Sequence, residues 1–131
     1  MKKFAILCLS VFCILSYAQS QGITFLEDIP LSEAFAKAKT ENKLIFIDCY
    51  TTWCGPCKMM SRDIFPQKEV GDYFNAKFVN LKLNMEATEN VELAKKYGVK
   101  AYPTYLFLNA DGEVVHKGLG SMPAEKFIEV A

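Results

Sequence analysis

The sequence predicts an α/β domain with a central mixed β-sheet and helices on both of its faces. Three observations point there. Lys43–Tyr50 is a run with apolar residues on both faces, as a central strand covered on two sides requires. Pro30–Asn42 places Leu31, Ala34, Phe35 and Ala38 at i, i+3, i+4 and i+7, one apolar stripe of an amphipathic helix. Asp111-Gly112 separates the apolar run Tyr105–Leu108 from Glu113–His116, which signals a hairpin. Helices packed on such a sheet give a layered α/β architecture.

The chain has 131 residues, read as one domain behind an N-terminal segment. Lys2 and Lys3 precede an apolar run, Phe4–Leu15, and Ser16-Tyr17-Ala18 supplies small residues before a cut. This is a secretory signal peptide pattern, with cleavage after Ala18 or Ser20 and a domain over 21–131. The run is short of the ~20 residues a membrane span needs; a retained N-terminal anchor is the alternative. Neither Cys8 nor Cys13 follows the small residues of a lipoprotein site. Cleavage removes both, leaving Cys49, Cys54 and Cys57 of the five cysteines. It also takes the 15 basic residues to 13 against 15 acidic, a balance of about −2. That is too weak to attract nucleic acid or an anionic membrane surface. About 110 residues suffice for one packed core without staples, so a lone Cys-x-x-Cys in an exported chain reads as catalytic rather than structural.

In chain order, Gly22–Glu27 reads as a short first strand. The Pro30–Asn42 helix turns Lys37, Lys39 and Glu41 to solvent. In the strand Lys43–Tyr50, Asp48 is the anomaly. It either reaches water at the strand end or is buried, where an unpaired carboxylate is costly and tends to keep its proton. Cys49 points to the opposite face, as a small core residue. A helix from Gly55 carries Met59, Met60 and Ile64 inward until Pro66 interrupts it, and a second runs over Lys68–Phe74 with Val70, Tyr73 and Phe74 inward. Phe78–Leu83 is a strand with Val79, Leu81 and Leu83 on one face and Phe78, Asn80 and Lys82 on the other. Glu89–Tyr97 is a helix with Val91, Ala94 and Tyr97 in phase and Gly98 as its C-cap. Pro123 opens a short closing helix. His116, the only histidine, stands on the hairpin's edge strand and receives no catalytic role.

The chemistry concentrates in Trp53-Cys54-Gly55-Pro56-Cys57-Lys58, where an apolar strand gives way to a helix start. Cysteines three apart face each other across a first helical turn. Free backbone N–H groups and the dipole there favour a thiolate at Cys54. Cys54 then attacks a disulfide and Cys57 closes the ring and releases the product. The same spacing is also half a zinc site, but a four-ligand site would have to recruit Cys49 and His116.

This hexapeptide resembles the active-site signature of the thioredoxin family, and the resemblance extends over 22–131. It implies a thioredoxin-like fold, with Lys43–Tyr50 parallel to Phe78–Leu83 and the 104–116 hairpin antiparallel. It implies that Asp48, six residues before Cys54, is a buried acceptor for the Cys57 proton. Lys82 corresponds to a lysine beside that aspartate; a snorkelling surface lysine is the alternative reading. Tyr102-Pro103-Thr104 corresponds to a segment with a cis proline next to the cysteines, and Gly118 to a glycine near the substrate surface. Trp53, Gly55, Pro56, Tyr102, Pro103 and Thr104 are thereby implied as the docking surface, with the Tyr102 backbone pairing an extended substrate. The break at Pro66 is similar to exported relatives, including the C-terminal domain of DsbD-type proteins. The implied function is an exported, periplasmic protein-disulfide reductase with a Cys54/Cys57 disulfide, needing no metal or organic cofactor. Its implied partners are protein thiols and disulfides and a DsbD-type membrane electron donor, and the implied state is a monomer. A disulfide oxidase or isomerase, or a redox-inert peptide-binding or chaperone module, is the alternative.

Overall fold

The structure, a computed structural model, describes residues 22–131. The expected signal segment, with Cys8 and Cys13, lies outside them. Five strands form one sheet in the order β1-β3-β2-β4-β5. Strand β1 (Phe25–Leu26) and strand β2 (Leu44–Tyr50) both run parallel to β3 (Phe78–Asn84). Strand β4 (Thr104–Leu108) is antiparallel to β2, and β5 (Val114–Leu119) antiparallel to β4. The sheet is mixed, as expected.

Alternation along β2 divides the interior into two layers. Ile45, Ile47 and Cys49 face Val79, Leu81, Leu106 and Leu108, under helices α1 (Leu31–Glu41) and α4 (Val91–Tyr97). Ala34 and Ala38 let α1 approach closely. On the other face Phe46 packs among Phe74, Phe78, Tyr105, Phe107 and Phe127, beneath helices α3 (Lys68–Lys77) and α5 (Ala124–Val130). Phe46 ring centroids lie 4.8 Å from Phe74, 5.3 Å from Phe107 and 5.8 Å from Phe127. Edge-to-face and offset pairs at these spacings add to the burial of the rings.

The helix after the cysteines differs from a simple α-helix stopped by proline. Helix α2 (Gly55–Met59) passes into a π-helical turn, Met60–Ile64, in which the Phe65 N–H donates to the Met60 carbonyl at 2.9 Å. The wider turn puts Met60, Ile64 and Phe65 all in the core, and Pro66 then separates this segment from α3. Helix α3 runs three residues past the expected Phe74. A 3₁₀ turn, Thr88–Asn90, precedes α4, so Val91 opens the helix at the surface rather than facing inward. Gly98, at φ 64°, ends α4 as a left-handed C-cap. Strand β5 extends beyond His116 to Leu119, with Val115 and Leu119 exposed on this outer strand. Asn109 organises the hairpin loop, its side-chain oxygen accepting from the N–H groups of Asp111 and Glu113.

Phe46 is the hub of the aromatic layer. Phe46→Ala is expected to lower unfolding stability by about 3–5 kcal/mol in urea titration. A loss below about 1 kcal/mol would show that the layer does not hold the fold.

Candidate functional site

The site is assembled where β2 ends and α2 begins. Cys54 and Cys57 are joined by a disulfide with Cα atoms 5.3 Å apart. Cys54 is the N-cap of α2, with extended backbone (φ −76°, ψ 109°), and its sulfur accepts from the Cys57 N–H at 3.2 Å. Pro56 occupies the first turn, where its missing N–H costs nothing. Gly55 and Pro56 are exposed. Neither cysteine of the pair faces water in this oxidised state. Each is only 3% exposed. The asymmetry lies in hydrogen bonding: the Cys54 sulfur receives a helix-start N–H, which stabilises negative charge on it.

Asp48 is 1% exposed, which excludes the water-reaching alternative. In the parallel ladder its register partner is Lys82, on the same face of the sheet. The ammonium donates to Asp48 Oδ2 at 3.1 Å, while Oδ1 has no hydrogen-bond partner among the described residues. Lys82 is therefore the aspartate's cation and not a free surface lysine, although its side chain keeps 28% exposure. Burial pushes the Asp48 carboxyl above its ordinary range, and the nearby Lys82 charge and hydrogen bond pull against it. Cys49 lies on the other face, and burial raises its thiol pKa, so it is not a reactive sulfur.

A cavity of about 440 Å³ lies between Cys57 and Lys82, lined also by Tyr50, Thr51, Lys58 and Ser61 among others. It has ample room for water. Asp48 itself does not line this space; Lys82, its ion-pair partner, does.

The residues implied as a docking surface gather from two loops. Trp53 is 66% exposed and its indole N–H donates to the Glu86 carboxylate. Its ring meets Tyr102 edge-on, with centroids 6.0 Å apart and planes at 88°. The Tyr102–Pro103 bond is cis. Tyr102 lies just outside the β4 ladder, which begins at Thr104. The Thr104 hydroxyl is turned inward and donates to the Ala101 carbonyl at 2.6 Å, bracing the loop. Gly118 sits against Tyr105 and Val130, where a Cβ would clash.

Sequence reasoning missed Ser61, Thr51 and Glu86. Ser61 bonds Lys82, Glu86 bonds Trp53, and Thr51 lines the cavity, buried. The one legible signal was the Cys57-to-Ser61 interval, four residues on one helix face. Among the described residues no three His, Cys, Asp or Glu side chains are grouped to hold a metal.

Comparison with known proteins agrees with this geometry. The family model of the thioredoxin-like domain matches residues 31–131. Thioredoxin of Bacillus subtilis is 38% identical over 94 residues, covering 71% of this chain and 84% of that protein. A candidate disulphide-isomerase from Bacteroides thetaiotaomicron is similar in structure, with a TM-score of 0.75 and 53% identity over 86% of this chain and 92% of that one. The oxidised C-terminal domain of DsbD from Neisseria meningitidis superposes with a TM-score of 0.64 and 28% identity, covering 76% and 87%. A mixed sheet of this order, a disulfide at a helix start and a cis proline beside it make the chain a member of the thioredoxin-like family, a thiol–disulfide oxidoreductase with the Cys54–Cys57 pair.

Proposed function

We propose that the protein is an exported protein-disulfide reductase. The observation that carries this reading is the Cys54–Cys57 pair at a helix start, sharing one cavity with Lys82, the partner of buried Asp48. In the reduced protein the Cys54 thiolate attacks a substrate disulfide. A Cys54–substrate bond forms and one substrate sulfur leaves. Asp48 accepts the Cys57 proton, and the Cys57 thiolate attacks Cys54. The ring closes, and the second substrate sulfur departs as a thiol. Trp53, Tyr102 and Pro103 form the platform against which the substrate chain lies, with Gly55 and Pro56 beside it.

The Gly55-Pro56 spacer, the similarity to thioredoxin and the similarity to a DsbD C-terminal domain support the reducing direction. An exported reductase works against an oxidising compartment and draws electrons from a membrane donor, here one of the DsbD type. The isomerase alternative draws on the Bacteroides thetaiotaomicron neighbour. Export rests on the Lys2–Leu15 pattern, and a cut after Ala18 or Ser20 leaves the described domain whole. Fractionation of the native host should find the protein periplasmic and starting at Gln19 or Gln21. A cytoplasmic chain starting at Met1 would refute export.

Three outcomes follow from the chemistry. Cys54→Ser should abolish insulin reduction with dithiothreitol as donor, and equal rates for variant and wild type would remove the enzymatic reading. The reduction potential should fall near thioredoxin's, about −270 mV; a value near −120 mV would make the protein an oxidant. The third concerns pH. Unfolded Asp48 loses its proton near pH ~3.9, whereas native Asp48 holds it to higher pH. Between those values the native state binds more protons, so stability falls as pH rises through the window. Urea unfolding of Asp48→Asn should therefore show a flatter pH dependence and a gain over wild type at neutral pH. Parallel curves for the two proteins would refute the burial of a charge there.

A further inference from the structure

Lys82 is held by more than Asp48. Its ammonium also donates to the Ser61 hydroxyl, and it lies 4.8 Å from the Tyr50 ring centroid, 5.3 Å from Phe65 and 5.8 Å from Phe25. A lysine carries three donors on a flexible stem, so one carboxylate oxygen alone leaves it free to swing. Here one donor is committed to Asp48 Oδ2, another to Ser61, and aromatic faces surround the charge. Ser61 and Phe65 both belong to the segment that widens into the π turn, directly after the cysteines. Ser61 and Lys82 line the cavity that reaches Cys57, and both also line a second cavity of about 240 Å³ on the Phe25 and Phe65 side. Their contact therefore stands between the two spaces.

We propose that Ser61, assisted by the Tyr50 ring, is a positioning residue for the resolving step: it pins the Lys82 ammonium to Asp48 Oδ2 and so reserves Oδ1 for the Cys57 proton. The proposal rests on the role of Asp48 as proton acceptor given above. The step balances within the protein and its substrate. The Cys57 S–H bond breaks and its proton goes to Asp48. The Cys57–Cys54 bond forms as the Cys54–substrate bond breaks, so the cysteine pair is oxidised. The substrate sulfur leaves with the electron pair and takes a proton from solvent. Ser61 touches none of these atoms and acts through Lys82.

Other ionisable groups around Asp48 are accounted for. Tyr105 is its partner across β4, with a phenol raised by burial and by the Asp48 charge. Cys49 and Tyr50 follow it on β2, and Cys57, in the first turn of α2, lines the cavity with Tyr50 and Lys82. Lys58 and Arg62 line the cavity, Arg62 paired with Asp63 at 2.7 Å. None replaces the hydroxyl as an acceptor for Lys82.

Stopped-flow mixing of the reduced full-length protein with the aryl disulfide dithiobis-nitrobenzoate tests this. The first coloured thiolate released reports attack by Cys54, and the second reports resolution by Cys57. Without its hydroxyl partner, Lys82 holds Asp48 less firmly, so the carboxyl keeps its proton to higher pH. Ser61→Ala should therefore move the acid limb of the second phase upward by about 0.5–1 pH unit. That slows resolution about three- to ten-fold on the limb and spares the alkaline plateau. The first phase should be unchanged. Ser61→Thr should restore the wild-type profile, and Tyr50→Leu should shift it in the same direction by less. An unshifted limb in Ser61→Ala and Tyr50→Leu, or no restoration by threonine, overturns the proposal. Asp48→Asn separates the two readings. If it resolves like wild type, Asp48 is not the acceptor and both fail. If it is slow while Ser61→Ala is unshifted, only the positioning role fails.

Discussion

The rest of the molecule depends on a carboxylate inside a closed interior. Asp48 is held within the sheet, and a lone ionised group there would be costly enough to deform the site or stay protonated. The parallel register of β2 and β3 answers this by setting Lys82 opposite it on the same face. One register slip would put Lys82 on the opposite face and leave Asp48 unpaired. Strand pairing, usually an architectural matter, here decides the electrostatics of the buried carboxyl.

The two packing layers serve that arrangement differently. Beneath α1 and α4 the contacts are mostly aliphatic, with two alanines against the sheet. On the active-site face the layer is aromatic, and its rim reaches Lys82 through Phe25, Phe65 and Tyr50. Core and site are thus continuous. Rings at the edge of this layer also surround the Lys82 charge that pairs with Asp48, so substitutions there act on both.

Much of the fold was legible because its signals are local. The Leu31, Ala34, Phe35 and Ala38 stripe, the two-faced apolar run at β2, the Asp111-Gly112 turn and the glycine after Tyr97 each have a short-range physical cause. The cysteine pair was legible for the same reason. What escaped depended on geometry that spacing does not encode. The π turn at Met60–Ile64 has no sequence mark beyond the proline that follows it. Val91 fitted an inward stripe until a 3₁₀ turn changed where the helix starts. Ser61 reads as an unremarkable helical serine, and only the fold brings it to a lysine 21 residues away. The Asp48–Lys82 pairing came from family resemblance, since nothing in a 34-residue separation predicts contact.

The ring closed by Cys54 and Cys57 spans a single helical turn. Tying off so little chain removes about 2 kcal/mol of unfolded-state freedom, against nearly 5 kcal/mol for a loop of a hundred residues. Opening it forfeits little, and the amide that Cys54 already receives becomes a charge-assisted partner once the sulfur is anionic. Neither cysteine belongs to the two packed layers that hold the fold. The domain's driving force as an electron carrier is then set by local sulfur energetics, with little drawn from refolding.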